Sequence, residues 1–174
     1  MKKHIIQTLL ALLVLTSCSD DMTSQYSNKY PVRCTFTVLQ YEPLIYAVGN
    51  IGQFATIRKS SSKVIMTFNG TSTTYQLDAT QKYFDFGLGG LIAGTAYDGT
   101  FLSYDLACPN CDRASTRLSV GDNATAKCPS CGIEYSLNYN GIINSVPDDC
   151  KHTKPRGLYR YRIVYNGTEV SIYN

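Results

Sequence analysis

The sequence has 174 residues, of which 16 are Lys or Arg and 13 are Asp or Glu. This length is typical of one domain, or of one domain with a small subdomain. A charge balance so close to neutral argues against binding to nucleic acid or to an anionic membrane surface, since such binding needs a clustered basic stripe.

Residues 1–17 have the pattern of a signal peptide. Lys2 and Lys3 precede an apolar run that ends at Leu15 and is too short to span a bilayer as a helix. The run continues into Leu-Thr-Ser-Cys18, which resembles the lipobox of bacterial lipoproteins, where the Cys becomes the acylated first residue. The resemblance predicts that Cys18 carries a lipid anchor. The alternative is an ordinary secretory signal in which Cys18 is incidental.

Residues 18–30 are polar and lack apolar periodicity, so we expect them to form a tether. Asp20 and Asp21, directly after Cys18, resemble the acidic export signal of surface lipoproteins in Bacteroidetes-like bacteria. The expected location is the bacterial cell envelope, with the lipid in the outer membrane, and the acidic pair implies display on the cell surface. The lipid on Cys18 is the predicted membrane contact.

Residues 31–174 are predicted to form one all-β domain. Apolar and polar residues alternate along Val32–Val38, Val64–Phe68 and Tyr159–Tyr165, and hairpin signals occur at Asn69-Gly70, Asn140-Gly141 and Asn166-Gly167. The alternation is typical of strands with one buried face, and Asn-Gly supplies the positive φ angles of tight hairpins. No stretch after Leu15 has an apolar stripe at helical spacing over three turns, so we expect no helix.

Two Cys-x-x-Cys units are the strongest chemical signal in the chain. They are Cys108-Pro109-Asn110-Cys111 and, 16 residues later, Cys128-Pro129-Ser130-Cys131. The two-residue spacer lets both sulfurs of a unit reach one ion while the backbone turns around it. Gly132 suits such a turn because positive φ is free for Gly, whereas Asp112 is a poorer choice at the equivalent place. The motif predicts a metal site on four cysteines. The alternative is disulfide pairing, which persists in exported proteins.

The sequence around these units resembles the Rieske domain. A strand-like run leads into Cys108-Pro109, and Cys128-Pro-Ser-Cys-Gly132 is followed by the aromatic run Ile133–Leu137 and by Asn140-Gly141. The family places its two ligand loops in this order and spacing. The resemblance implies a Rieske-like antiparallel β-sandwich over residues 31–174, with a rubredoxin-like or zinc-ribbon-like metal subdomain at about residues 105–140.

The ligands depart from the family pattern. A Rieske centre uses two Cys and two His, but neither loop here contains His, and His152 is the only histidine after the signal peptide. Three occupants remain: Zn²⁺ as a structural ion, mononuclear iron as in rubredoxins, and a [2Fe–2S] cluster on four Cys. Knuckle geometry favours Zn²⁺ or mononuclear iron, whereas the family resemblance implies the cluster.

Cys34 and Cys150 are the cysteines left over once Cys18 and the four ligands are assigned. In an oxidising compartment a disulfide between them is a natural expectation. The Rieske resemblance adds that a proline-containing loop covers the metal near Pro147, and the disulfide would pin that loop. The alternative is that Cys34 is a small buried hydrophobe and Cys150 an exposed thiol.

Two functions are compatible with these features. One is an electron-transfer or redox accessory protein at the envelope, held beside a redox partner by its lipid. The other is a non-redox binding or interaction module in which Zn²⁺ stabilises a small β-fold. A single His152 and no convincing carboxylate pair give no catalytic constellation, so an enzyme acting alone is not expected.

Overall fold

The computed structural model describes residues 26–174, which form an all-β protein as predicted. The predicted signal peptide (1–17) and the acylation site Cys18 lie outside these residues. The strands are β1 (Val32–Thr37), β2 (Gln53–Ser60), β3 (Lys63–Phe68), β4 (Thr71–Gln76), β5 (Asp85–Phe86), β6 (Leu91–Thr95), β7 (Phe101–Asp105), β8 (Ser119–Gly121), β9 (Thr125–Lys127), β10 (Glu134–Ser136), β11 (Ile143–Ser145), β12 (Arg160–Tyr165) and β13 (Glu169–Tyr173).

The expectation of no helix was wrong. One α-helix, α1 (Glu42–Gly49), follows β1, and short 3-10 helices occur at Val38–Gln40, Gln81–Tyr83 and Asp122–Ala124. Pro43 lies in the first turn of α1, where its missing N–H is not needed. The helix buries Leu44 and Val48 but has only eight residues, too few to show a stripe over three turns. Among residues 26–174, no helix has the length and apolar character needed to cross a membrane.

The strands form two antiparallel sheets. The large sheet has nine strands in the order β4-β3-β2-β6-β7-β12-β13-β1-β5, and the small sheet has four in the order β11-β10-β9-β8. Asn69-Gly70 turns β3 into β4, and Asn140-Gly141 lies between β10 and β11, with positive φ at all four residues. Asn166-Gly167 joins β12 to β13. All three hairpin predictions are confirmed.

Strand β6 lies between two hydrophobic cores. Leu91 and Ala93 pack into the first core, with β1, β3 and α1, while Ile92 packs into the second core, with the small sheet. Every residue of β6 is buried, so its sequence is a continuous apolar run rather than an alternating one. The small sheet therefore packs on the face of the large sheet opposite α1, and the two ligand loops belong to this second core.

A buried carboxylate joins the large sheet to the glycine-rich segment before β6. Asp105 is fully buried, and its two oxygens accept hydrogen bonds from the backbone N–H groups of Leu88 (2.6 Å), Gly89 (2.9 Å) and Ala107 (2.7 Å). The Tyr161 hydroxyl of β12 donates a fourth, at 2.8 Å. Burial raises the pKa of the Asp105 carboxyl above its ordinary value, and these donors oppose that rise. The strand that leads into Cys108 is fixed by this cluster.

The change Asp105→Asn should lower the free energy of unfolding by about 1–3 kcal/mol, because an amide NH₂ would face a backbone N–H donor in the core. Urea unfolding at neutral pH measures this loss. Asp85→Asn is the matched control, since Asp85 is exposed on β5, and it should have little effect. Equal losses in the two variants would contradict the assigned role of Asp105.

The same pair of variants tests how the free energy of unfolding depends on pH. Because the pKa of Asp105 is higher in the folded chain than its ordinary value, the folded state binds this proton more tightly than the unfolded state. The contribution of Asp105 to stability therefore decreases as pH rises from the ordinary carboxyl pKa through the folded one. Asp105→Asn should lack this slope, whereas Asp85→Asn should keep it.

Candidate metal centre

Each Cys-x-x-Cys unit forms a tight turn, and the two turns are closed by equivalent backbone hydrogen bonds. Asp112 N–H donates to the Cys108 carbonyl at 2.9 Å, and Gly132 N–H donates to the Cys128 carbonyl at 3.0 Å. Both donors have left-handed φ angles, 52° and 73°. The first turn follows β7, and the second connects β9 to β10. Asp112 was expected to suit this turn less well than Gly132, because a non-glycine residue disfavours positive φ. The structure shows that Asp112 nevertheless adopts the same left-handed backbone conformation as Gly132.

The two turns bring their sulfurs together. The Sγ atoms of all four cysteines lie within 4.8 Å of one another. Cys108 and Cys131 are 3.7 Å apart at sulfur, and so are Cys111 and Cys128. Two thiolates bound to one ion at about 2.3 Å in a regular tetrahedron would be about 3.8 Å apart. The four residues predicted from the sequence therefore form a cluster that could hold a metal ion.

The four ligand side chains differ in exposure. Cys108 and Cys128 are buried in the second core, whereas Cys111 and Cys131 are partly exposed. The first cysteine of each unit therefore faces the protein and the second faces outward.

Backbone and side-chain donors point at two of the sulfurs. The N–H groups of Ser130 and Cys131 each lie 3.4 Å from the Cys128 sulfur. The Tyr135 hydroxyl lies 3.5 Å from the Cys108 sulfur, and the Asn110 amide donates to the Tyr135 oxygen at 2.7 Å. Because Tyr135 already accepts from Asn110, its own hydrogen is available for Cys108. These bonds stabilise negative charge on sulfur.

The thiols do not ionise with equal ease. Burial, together with the neighbouring thiols, raises the pKa of Cys111 to about 11 and also raises that of Cys131. Burial opposes ionisation of Cys128 too, but the N–H groups of Cys131 and Ser130 bring its pKa below the ordinary value. Four adjacent thiolates repel one another, and a cation between them offsets that repulsion.

The N-terminal segment is bonded to the first turn. Lys29 Nζ donates to Asp112 at 2.6 Å, and the hydroxyls of Tyr30 and Tyr159 donate to the same carboxylate at 2.8 and 3.1 Å. The Lys29 ammonium holds the pKa of Asp112 below its ordinary value. Residues 26–30, predicted as the end of the tether, thus contact the domain. Asp112 is fixed in its left-handed conformation by three side chains.

A loop after β11 covers part of the second turn. A Cβ atom added at Gly132 would lie 2.6 Å from Pro147 Cγ, so the loop packs directly on the glycine. Beyond this contact a cleft of about 600 Å³ opens between the ligand turns and the loop. Its lining includes Cys111 and Cys131 on one side and Cys150 and His152 on the other. The exposed pair of ligands therefore faces an open space.

No protein-family model, curated protein or solved structure matches this chain. The assignment of the site therefore depends on the geometry and chemistry of its own residues.

The predicted disulfide between Cys34 and Cys150 is not formed in the structure, where both are free thiols. Cys34 is buried in the first core on β1, with its sulfur 3.9 Å from the Ile172 carbonyl. Cys150 packs against the second core and lines the cleft. Because the two residues belong to different cores, counting the unassigned cysteines was not enough to pair them.

Several residues around the sulfurs were not predicted from the sequence. Asn110 is held by Arg156, whose N–H donates to its side-chain oxygen at 2.9 Å and whose carbonyl accepts from its amide at 3.0 Å. Tyr135 was recognised only as part of an aromatic strand, and Lys29 only as part of a tether. The position of Asn110 inside the first Cys-x-x-Cys unit was the one available signal. The other contacts join residues distant in sequence.

Tyr135→Phe should lower metal affinity by about 10–100-fold, because it removes the hydroxyl directed at the Cys108 sulfur. Competition with a chromophoric chelator measures the affinity. Tyr104→Phe is the matched control, since the Tyr104 hydroxyl is equally buried but bonds to the Leu137 carbonyl. Both variants should lose about 1 kcal/mol of stability, and only Tyr135→Phe should change the affinity. A similar affinity loss in both would show that the effect is structural.

Gly132→Ala should reduce both stability and metal affinity, because Ala is strained at φ 73° and its Cβ would collide with Pro147. Gly70→Ala is the matched control: its φ is 76°, but nothing lies within 4 Å of an added Cβ. The backbone strain, about 1–2 kcal/mol, is common to both variants. Thermal unfolding and chelator competition should show a larger loss for Gly132→Ala. The proposed contact is wrong if the two variants behave alike.

Proposed function

We propose that this chain is an envelope-anchored lipoprotein whose Rieske-like domain holds a single metal ion on Cys108, Cys111, Cys128 and Cys131 and serves as a one-electron redox accessory. The observation that supports a single ion most directly is the spacing of the four sulfurs, all within 4.8 Å. Neighbouring sulfurs around one tetrahedral ion at about 2.3 Å are about 3.8 Å apart, and two of the sulfur pairs here are 3.7 Å apart.

The same spacing favours one ion over a [2Fe–2S] cluster. A cluster divides its four thiolates between two irons, so ligands of different irons stand farther apart than ligands of the same iron. Here the contacts of 3.7 Å join Cys108 with Cys131 and Cys111 with Cys128, and the other four sulfur pairs also fall within 4.8 Å. One compact group of sulfurs suits a tetrahedral ion, either iron or Zn²⁺.

The Rieske-like assignment has support from the order of the loops around the site. The first ligand turn follows β7, the second connects β9 to β10, and a loop containing Pro147 packs on the second turn at Gly132. These are the places that the sequence resemblance assigned to the ligand loops and the covering loop. In this proposal the chain keeps the Rieske order of ligand loops and covering loop, but one ion takes the place of the [2Fe–2S] cluster.

A redox role is supported by the open side of the site. Iron bound there would supply one-electron chemistry. Cys111 and Cys131 face the cleft, so electrons have a short path between the sulfurs and a docked partner. Tyr135 and the N–H groups of Ser130 and Cys131 stabilise the charge of the thiolates, which is how hydrogen bonds to sulfur set a reduction potential. The lipid on Cys18 would keep this side near the membrane.

The second candidate is a binding or interaction module with a structural Zn²⁺. The observation in its favour is the burial of Cys108 and Cys128 within the second core, because an ion there also fastens the small sheet to the large one. Structural zinc sites have four protein ligands and are redox-silent. In that case the function lies on another face.

Metal analysis of the protein purified without chelator separates these candidates. One iron per chain, no acid-labile sulfide and a reversible one-electron change in absorption are the results expected for a redox accessory. A colourless protein with one zinc would replace the redox role with the structural one. Labile sulfide would overturn the single ion in favour of a cluster, and a metal-free protein would overturn all three assignments.

Removal of one ligand tests the site itself. Cys128→Ser should abolish stoichiometric metal binding and lower the unfolding temperature sharply, since apparent binding energies in zinc knuckles reach about 10–16 kcal/mol. Cys150→Ser is the matched control, because Cys150 lines the same cleft but lies outside the four-sulfur cluster. It should retain one ion per chain and its stability. Loss of metal in the control would mean that Cys150 is a ligand.

A further inference from the structure

A second cleft, of about 410 Å³, lies beside the first ligand turn and is strongly basic. We call it the basic cleft, and its charged and titratable lining consists of Lys29, Asp112, Lys151, His152, Lys154 and Arg156. Four Lys or Arg side chains and one carboxylate give the cleft a formal charge of +3, which equals that of the whole sequence. Four of the 16 Lys and Arg residues of the sequence therefore line one cleft beside the four cysteines.

The cations contributed by the loop have no carboxylate partner. Among residues 26–174, the one ion pair joins Lys29 to Asp112, and Lys151, Lys154 and Arg156 are exposed. The acidic residue Asp149, in the same loop, lines the neighbouring cleft together with Lys151 and His152, and it forms no ion pair with a residue in 26–174. Three unpaired cations on one surface favour an anionic partner through charge complementarity.

These cations are held on a fixed frame. The paired hydrogen bonds between Asn110 and the backbone of Arg156 fasten the loop to the first ligand turn. The cleft and the metal centre therefore face the same side of the domain.

The N-terminal segment enters the domain at this cleft. Lys29 lines it, and eleven residue steps separate Lys29 from Cys18. A chain of that many steps reaches at most about 38 Å. A lipid on Cys18 would thus keep Lys29 and the basic cleft within about 38 Å of the bilayer surface.

We propose that the basic cleft docks on the phosphate head groups of the anionic membrane that holds the lipid of Cys18, and so turns the metal centre toward the membrane. This inference rests on the lipid anchor of the proposed function. It differs from the expectation based on overall charge, which argued against an anionic surface. The cations come from residue 29 and from residues 151–156, which are distant in sequence. The folded chain brings them together in one cleft.

Amine labelling of the acylated protein on vesicles tests the docking. Vesicles of phosphatidylcholine alone are compared with vesicles that also contain phosphatidylglycerol, and the labelling rates of Lys151 and Lys154 are measured by mass spectrometry. Lys63 and Lys82 are exposed and do not line the basic cleft, so they serve as internal controls. We expect slower labelling of Lys151 and Lys154 only on anionic vesicles. Salt at 1 M, where the Debye length is about 3 Å, should remove the difference.

Matched variants show whether the cleft is responsible. Lys154→Gln with Arg156→Gln removes two cations from the cleft, and Arg33→Gln with Lys82→Gln removes two exposed cations from other positions. Each basic residue near an anionic surface changes binding about fivefold, so the cleft variant should weaken docking on the order of 25-fold. Labelling of Lys151 should then become fast in the cleft variant and stay slow in the control.

Equal labelling on both kinds of vesicle, or equal effects of the two double variants, would overturn the docking proposal. So would protection of Lys151 that needs an added acidic protein rather than anionic lipid. The anchor is tested separately by the mass of the N-terminal peptide. A peptide without acyl groups on Cys18 would overturn the lipoprotein assignment, whereas an acylated protein with unprotected lysines would overturn docking alone.

Discussion

Four sulfur atoms from two separate turns must meet at one point, and the arrangement of the second core depends on this requirement. Cys108 follows a strand of the large sheet, whereas Cys128 belongs to a hairpin of the small sheet. Because the sulfurs are in contact, the small sheet has one position relative to the large one. Asp105 fixes the approach to the first turn, and Tyr135 and Asn110 fix the surroundings of its sulfur. Stability and chemistry are therefore coupled at this place.

Much of the fold could be predicted from local sequence. Alternation identified β1, and the Asn-Gly pairs identified three hairpins, because these features depend on residues close together in the chain. α1 was missed since its eight residues are too short for a helical stripe. The face assignments of β6 could not be predicted either. A strand that is buried on both sides has no alternation, and its partners come from distant parts of the chain.

The four cysteines that could hold a metal ion were predictable because each pair has a local spacing, but their environment was not. The bonds from Lys29 to Asp112 and from Asn110 to Arg156 join residues separated by 83 and 46 positions. The cysteines outside the motif illustrate the same limit. Composition suggested that Cys34 and Cys150 would pair, yet Cys34 lies on β1 in the first core and Cys150 lines the cleft beside the second core. Net charge is limited in a related way, because an average over the chain does not show that Lys29, Lys151, Lys154 and Arg156 line one cleft.

The two Cys-x-x-Cys turns are closed by the backbone, whereas the sulfurs belong to the side chains. Cys108 N–H bonds to the Thr116 carbonyl, Cys128 N–H bonds to the Ile133 carbonyl, and each turn is completed by a further backbone bond. All of these bonds are made by main-chain atoms, which every residue but proline possesses. The hydrogen bonds that close the two turns are thus made without the side chains of the four cysteines. A substitution at one of the four positions therefore removes a sulfur without removing any of the backbone hydrogen bonds that close the turn.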